Sequence, residues 1–183
     1  MTILIIVGVV VLALVMYLIS TYNVLVGLRN SVKDGFAGID VLLKRRNDLI
    51  PNLVETVKGY ASHEKETLNA VIEARNSAVN AQSTHDKIES ANNLTQSLGR
   101  LFALAESYPE LKANTNFLDL QNNLTQTENQ ISVARSTYNN LVLSYKNKLE
   151  MFPSNIVASM FNFKPEEFFE ANEQEKEVPK VKF

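Results

Sequence analysis

The run FLDLQNNLTQTENQISVARSTYNNLVLSYKNKL, from Phe117 to Leu149, decides the fold class. Its positions Phe117, Leu120, Leu124, Thr127, Ile131, Ala134, Tyr138, Leu141, Tyr145 and Leu149 recur at steps of three and four. That spacing stacks side chains on one face of an α-helix. A half-buried strand would alternate at every second residue, and no β-branched alternation of strand length occurs in the chain. Gly and Pro are scarce beyond the N-terminal apolar run, so the soluble part reads as almost wholly helical. A helix of this length needs partners for its stripe, which points to a bundle or a coiled coil.

Upstream, Asn114 or Thr115 can cap this helix, and Tyr108 with Pro109 stops the one before it. That preceding helix carries Ile88, Ala91, Leu94, Leu98, Leu101, Phe102 and Ala105, with a polar loop from Ala81 to Asp86 ahead of it. Another helix carries Leu53, Val54, Val57, Ala61, Leu68, Val71, Ile72 and Ala78, and ends near Asn80. Pro51 marks its start. The proline disfavours the α conformation at Ile50, while Asn47 and Asp48 can cap a new helix, so the preferred reading is a hairpin. The phase nevertheless runs through Leu43, Arg46, Ile50, Leu53 and Val57, which a kinked helix also explains. Before it, Leu25, Leu28, Val32, Phe36, Ile39 and Leu43 share one face, with Gly27, Gly35 and Gly38 permitting close approach or suppleness.

This first helix grows out of ILIIVGVVVLALVMYLI, Ile3 to Ile19, which holds no charge. At 1.5 Å per residue the run covers roughly 25 Å, and Ser20, Thr21 and Tyr22 extend it toward the ~30 Å of a hydrocarbon core. A cleaved signal peptide wants a basic start and a small-residue cleavage site; no Lys or Arg precedes Arg29 and no A-x-A follows. The run reads as a retained anchor, with Tyr17 and Tyr22 as interfacial aromatics. Arg29 and Lys33 just after it place the bundle in the cytoplasm by the positive-inside bias.

Downstream, residues 151–170 keep Phe152, Ile156, Val157, Met160, Phe161, Phe163, Phe168 and Phe169. Ser154 can cap a short helix behind Pro153 whose stripe of Phe152, Ile156, Met160 and Phe163 folds back over the bundle. The rival use of Phe152, Ile156, Met160, Phe161, Phe163, Phe168 and Phe169 is contact with a protein partner or a second copy. Membrane-surface docking is disfavoured because Lys164 is outnumbered by Glu166, Glu167 and Glu170. Residues 171–183 read as a disordered tail. The expected architecture is all-α: a transmembrane anchor over 1–23, an antiparallel four-helix bundle over 24–150, then the aromatic segment and the tail. A coiled-coil dimer is the main alternative.

Composition narrows the chemistry. A formal charge of −2, with basic residues dispersed apart from Lys44, Arg45 and Arg46, offers no field for nucleic acid. Cysteine is absent, which excludes disulfides and thiolate ligands. His63 and Glu64 begin like H-E-x-x-H, but Thr67 stands where the second histidine belongs, so His63 reads as an exposed helix residue. His85 falls in a loop without a partner motif, and no Walker A, dinucleotide or G-x-S-x-G pattern occurs. No catalytic residue, cofactor, metal or small-molecule substrate is expected. Arg75 and Arg135, with Glu128 and Asn129 about two turns before the latter, are candidates for a satisfied polar network or for solvated positions. The acceptor-like triplets at Asn93 and Asn123 lie mid-helix and are discounted, as is the repeated NNLTQ.

Four stretches carry a resemblance: IDVLLKRRNDLIPNLVETVKGYASHE (Ile39 to Glu64), AESYPELKANTNFLDLQNNL (Ala105 to Leu124), ISVARSTYNNLV (Ile131 to Val142) and FPSNIVASMFNFKPEEFFE (Phe152 to Glu170). Together they resemble the LemA family of bacterial membrane proteins over nearly the whole chain after Tyr22. The resemblance implies a single anchor in a bacterial inner membrane and a four-helix bundle, and implies no reaction. The expected function is that of a membrane-anchored interaction or scaffold protein, not an enzyme. The alternatives are an accessory subunit of a membrane protease or envelope quality-control system, a role the resemblance associates with the family, and an enzyme without a recognisable motif.

Overall fold

The computed structural model describes residues 1–169. The expected tail at 171–183, and Glu170 at the end of the aromatic segment, lie outside the described residues. Six helices follow in order: α1 (Thr2–Lys58), α2 (Lys65–Asn80), α3 (Thr84–Ala105), α4 (Pro109–Lys112), α5 (Thr115–Glu150) and α6 (Ser154–Met160). No strand occurs among the described residues.

The sequence favours a hairpin at Pro51, and the structure corrects this: α1 runs through Pro51 to Lys58. Pro51 has no N–H for the carbonyl of Asn47, four residues back. Arg75 of α2 supplies a replacement, its Nε donating to that carbonyl at 3.4 Å. The chain instead turns between Gly59 and Glu64. Gly59 is a poor helix former, and Tyr60 and Ala61 bond back to the Val57 carbonyl at 3.0 and 2.8 Å. Ala61 is buried, so the apolar phase continues through the turn and hides it from the sequence. His63 accordingly lies exposed in a turn rather than on a helix, and His85 lies in the first turn of α3 rather than in a loop. Ser83 caps α3, its hydroxyl accepting from Asp86 N at 3.0 Å. Asn114 caps α5 in the same way, its Oδ1 accepting from Phe117 N at 3.0 Å.

The chain divides into two compact units, one built from residues 1–37 and 136–168, the other from 38–135 with Phe169. In the second unit the C-terminal part of α1, with α2, α3 and the N-terminal part of α5, shares one core. Ile50, Leu53, Val54 and Val57 of α1 meet Leu68 and Val71, then Leu94, Leu98, Leu101 and Ala105, then Phe117 and Leu124. Leu111 of α4 closes the core at the end where Tyr60 accepts from Asn114 Nδ2 and Tyr108 donates to Glu64 Oε1, both at 2.9 Å. Burying each such side chain stabilises by about 1.5–3 kcal/mol, which explains how the helices hold without disulfides.

In the other unit, the N-terminal part of α1 packs on the C-terminal part of α5. Phe36 and Tyr138 stack edge to face with centroids 5.6 Å apart. Gly35 admits the approach, since a Cβ there would lie 2.9 Å from Leu141 Cδ1; beside Gly27 and Gly38 a Cβ would meet nothing. The apolar run at the start of α1 is exposed, and α1 is the one helix among the described residues long and apolar enough to cross a membrane.

Candidate functional site

Two arrangements of polar and aromatic side chains stand out, one in each unit. In the unit of residues 38–135 it is Arg46, 1% exposed. One guanidinium nitrogen, Nη1, donates to Glu128 Oε1 and to Thr95 Oγ1, both at 2.9 Å, and Nη2 donates to the Ala91 carbonyl at 3.2 Å. Thr95 passes its own hydroxyl proton to the same carbonyl at 3.1 Å. One cation thereby ties α1 to α3 and α5. Charged groups are rarely buried unless paired in this way. Lys87 of α3 adds a half-exposed pair with Asp40 of α1 at 2.8 Å.

The sequence leaves Arg75, Arg135 and Glu128 open between a satisfied network and solvated positions, and the structure gives each a partner of its own. Glu128 pairs with Arg46, Arg75 serves the Asn47 carbonyl, and Arg135 lies over the Phe169 ring at 4.5 Å from its centroid. Arg46 is the residue missed at the sequence level. Its signal was its place between Leu43 and Ile50 in the apolar rhythm, where a charge must find a partner.

The second arrangement gathers the segment after α5 against α1 and α5, within the unit of residues 1–37 and 136–168. Helix α6 buries Ser154, Val157 and Ala158 and ends in a Schellman turn: Phe163 N donates to Ala158 O at 2.9 Å and Asn162 N to Ser159 O at 3.2 Å. Asn162 takes the left-handed conformation this requires, with φ 55. Ser154 does not cap α6; its hydroxyl donates to the Lys148 and Met151 carbonyls at 2.7 and 2.9 Å. Past the turn, Tyr22 meets the rings of Phe161 and Phe163 at 4.8 and 5.6 Å, and Arg29 lies 5.3 Å from the centroid of Phe163. Tyr138 donates to the Glu167 carbonyl at 2.7 Å, and Lys146 lies 5.9 Å from the ring centroid of Phe168.

Burial pushes the Tyr138 phenol up to about 12, with the Glu166 and Glu167 carboxylates adding to it. Burial also raises Tyr145, against a lowering by Arg29. In the other unit the bond to Glu64 raises Tyr108. None of these phenols is brought toward a working base, since each shift favours the neutral form.

The aromatic residues singled out in the sequence thus separate. Phe169 is buried, Phe163 and Phe168 are half-buried, and Phe152, Ile156, Met160 and Phe161 are 80%, 55%, 62% and 51% exposed. Of the stripe expected to turn inward, Phe152, Ile156 and Met160 turn outward while Phe163 packs on Tyr22, because the opposite face, with smaller side chains, fits the helices beneath it. Tyr17 and Tyr22 are 39% and 38% exposed near the end of the apolar run. No group of three or more His, Asp or Glu that could hold a metal occurs among the described residues.

These features define a helical membrane protein with a single N-terminal candidate span. The pattern of the LemA family matches residues 35–183, and the chain belongs to that family. Protein LemA of Metamycoplasma hominis is 25% identical over 149 residues, covering 81% of this chain and 68% of the relative. Magnetosome protein MamQ 2 of Paramagnetospirillum magneticum is 22% identical over 186 aligned positions, covering 87% and 68%. Magnetosome protein MamQ of Magnetospirillum gryphiswaldense is 21% identical over 183, covering 86% and 67%.

Proposed function

We propose that this chain is a membrane-tethered scaffold that engages a protein partner or a second copy and performs no catalysis. The observation that carries the reading is α1. This one helix contains both the lipid-compatible run from Ile3 to Ile19 and the buried residues Leu25, Val32, Ile39, Ile50, Leu53 and Val57. A domain whose first core helix is also its anchor stays at the bilayer. Its central buried cation is spent on holding helices together, with side-chain and backbone acceptors already in place. That relatives carry names as different as LemA and magnetosome protein fits a scaffold better than one fixed reaction.

Arg29 and Lys33 follow the span, and the positive-inside bias then puts the helical units in the cytoplasm. A photo-crosslinking side chain at exposed Val41 or Val133, in the full-length chain in its native membrane, should capture a discrete partner or a dimer. Absence of any adduct at both positions, with the chain folded, counts against the scaffold reading. Gln82→Cys should resist an impermeant thiol reagent in intact cells, and ready labelling would reverse the orientation.

A further inference from the structure

The outward stripe on α6 lies beside the end of the apolar run of α1. Tyr22, three residues past the end of the apolar run, is the residue against which Phe161 and Phe163 rest. The start of α6 reaches the same level by a separate route. Phe36 packs on Tyr138, α1 and α5 run antiparallel there, and Tyr22 and Phe152 each lie fourteen residues from that contact toward the same end. Both ends of the segment Phe152 to Phe161 therefore come to the level of Tyr22. A segment whose two ends share one level along the anchor lies across it, in the plane of the interface.

We propose that the stripe of Phe152, Ile156, Met160 and Phe161 is seated in the headgroup and upper acyl region of the bilayer, as an interfacial foot beside the anchor. Its occupant is lipid, because the exposed face is continuous through Phe161 and Tyr22 with the lipid-facing surface of α1. Tyrosine at this depth is where an amphipathic ring favours the boundary. The carboxylates that weigh against anionic lipid do not oppose this. Arg29, Lys146, Lys148 and Lys164 stand against Glu150, Glu166 and Glu167, with Glu170 next in sequence, so charge neither drives nor prevents the contact. Apolar area drives it, and zwitterionic lipid suffices. The foot gives the protein a second attachment beside the first, which restrains rotation of this unit about the anchor.

This inference rests on α1 spanning the bilayer, and the test separates the two claims. The chain contains no cysteine, so the full-length protein carrying Ile156→Cys, Met160→Cys, Ser144→Cys or Leu12→Cys can be labelled with one environment-sensitive fluorophore. Each is placed singly in phosphatidylcholine nanodiscs at one copy per disc, with lipids brominated near the headgroup or deep in the chains. The labels at Ile156 and Met160 should be quenched by shallow bromine at least about twofold more than the label at Ser144, and shielded from iodide. The label at Leu12 reports on the anchor and should respond to deep bromine. If Leu12 responds while Ile156 and Met160 remain as open to iodide as Ser144, the foot is wrong and the anchor stands. If Ile156 becomes shielded only at two copies per disc, a second copy covers the stripe and the lipid assignment is likewise overturned. If Leu12 does not respond, the spanning reading fails first.

Discussion

Replacing Arg46 by methionine keeps the packing of the aliphatic stem while removing the charge and three donated hydrogen bonds. The loss leaves Glu128 facing a buried space without its cation, with the Thr95 hydroxyl and the Ala91 carbonyl losing a donor. Removing one partner of a buried ion pair costs about 3–5 kcal/mol. The Glu128 side chain is 30% exposed and keeps some water, which places the expected cost near the lower end. At about 3 °C per kcal/mol for a chain of 183 residues, Arg46→Met should lower the melting temperature by roughly 10 °C.

Two comparisons make the reasoning testable by thermal circular dichroism in detergent. Arg45→Met, one residue away and exposed, should change stability by less than about 0.5 kcal/mol. In the double variant Arg46→Met, Glu128→Leu the stranded carboxylate is gone, so stability should recover by at least about 1 kcal/mol over the single variant. If Arg46→Met costs less than about 1 kcal/mol, or the double variant is simply additive, the network does not hold the helices as argued.

Pro51→Ala restores an N–H for the Asn47 carbonyl and should stabilise by about 1–3 kcal/mol, while making Arg75→Ala less costly than in the parent; urea unfolding of the four chains checks both. Gly35→Ala brings a Cβ to 2.9 Å from the Leu141 Cδ1 methyl, which must turn aside, and should therefore stabilise less than Gly27→Ala, which has open space and should gain about 0.5–1 kcal/mol in the same assay. With Tyr138 raised to about 12 from an unfolded value of 10.0, the phenol ionises in the unfolded chain before the folded one. Its stabilising effect is therefore full below pH 10 and lost as pH rises toward 12, and an ultraviolet pH titration should show a late step that Tyr138→Phe removes. Asn162→Ala should cost about 1 kcal/mol and Asn162→Gly less, because only the left-handed backbone there is at stake.

The helices were legible because a three-four rhythm is a local property, and α3 and α5 end and start where Asn114, Tyr108 and Pro109 say they should. Pro51 was not, because a proline removes one bond and whether the helix survives depends on what else reaches the orphaned carbonyl. Here that is Arg75, 28 residues away in sequence and invisible to local pattern. The turn at Gly59 was masked for a related reason: Ala61 keeps the apolar phase while the backbone leaves the helix. Arg46 could be placed on the core face from spacing, but the acceptors Glu128, Thr95 and Ala91 that make the position tolerable come from two other helices. On α6 the spacing of Phe152, Ile156 and Met160 defined a face correctly without saying which way it turned, since Val157 and Ala158 make the opposite face apolar as well.

The central claim is that a single helix runs unbroken from the N-terminal apolar run through Pro51 into the core. Spin labels on Val41→Cys and Glu55→Cys test it most directly, since both sites are exposed and flank the proline. Fourteen residues separate the two sites; at 1.5 Å per residue an uninterrupted helix holds the two backbones about 21 Å apart. A pulsed dipolar measurement on the full-length protein in nanodiscs should therefore give a narrow distribution near 20 Å. A hairpin turning ahead of Pro51 would set the sites on neighbouring helices about 10 Å apart, and a distance in that range would contradict the account.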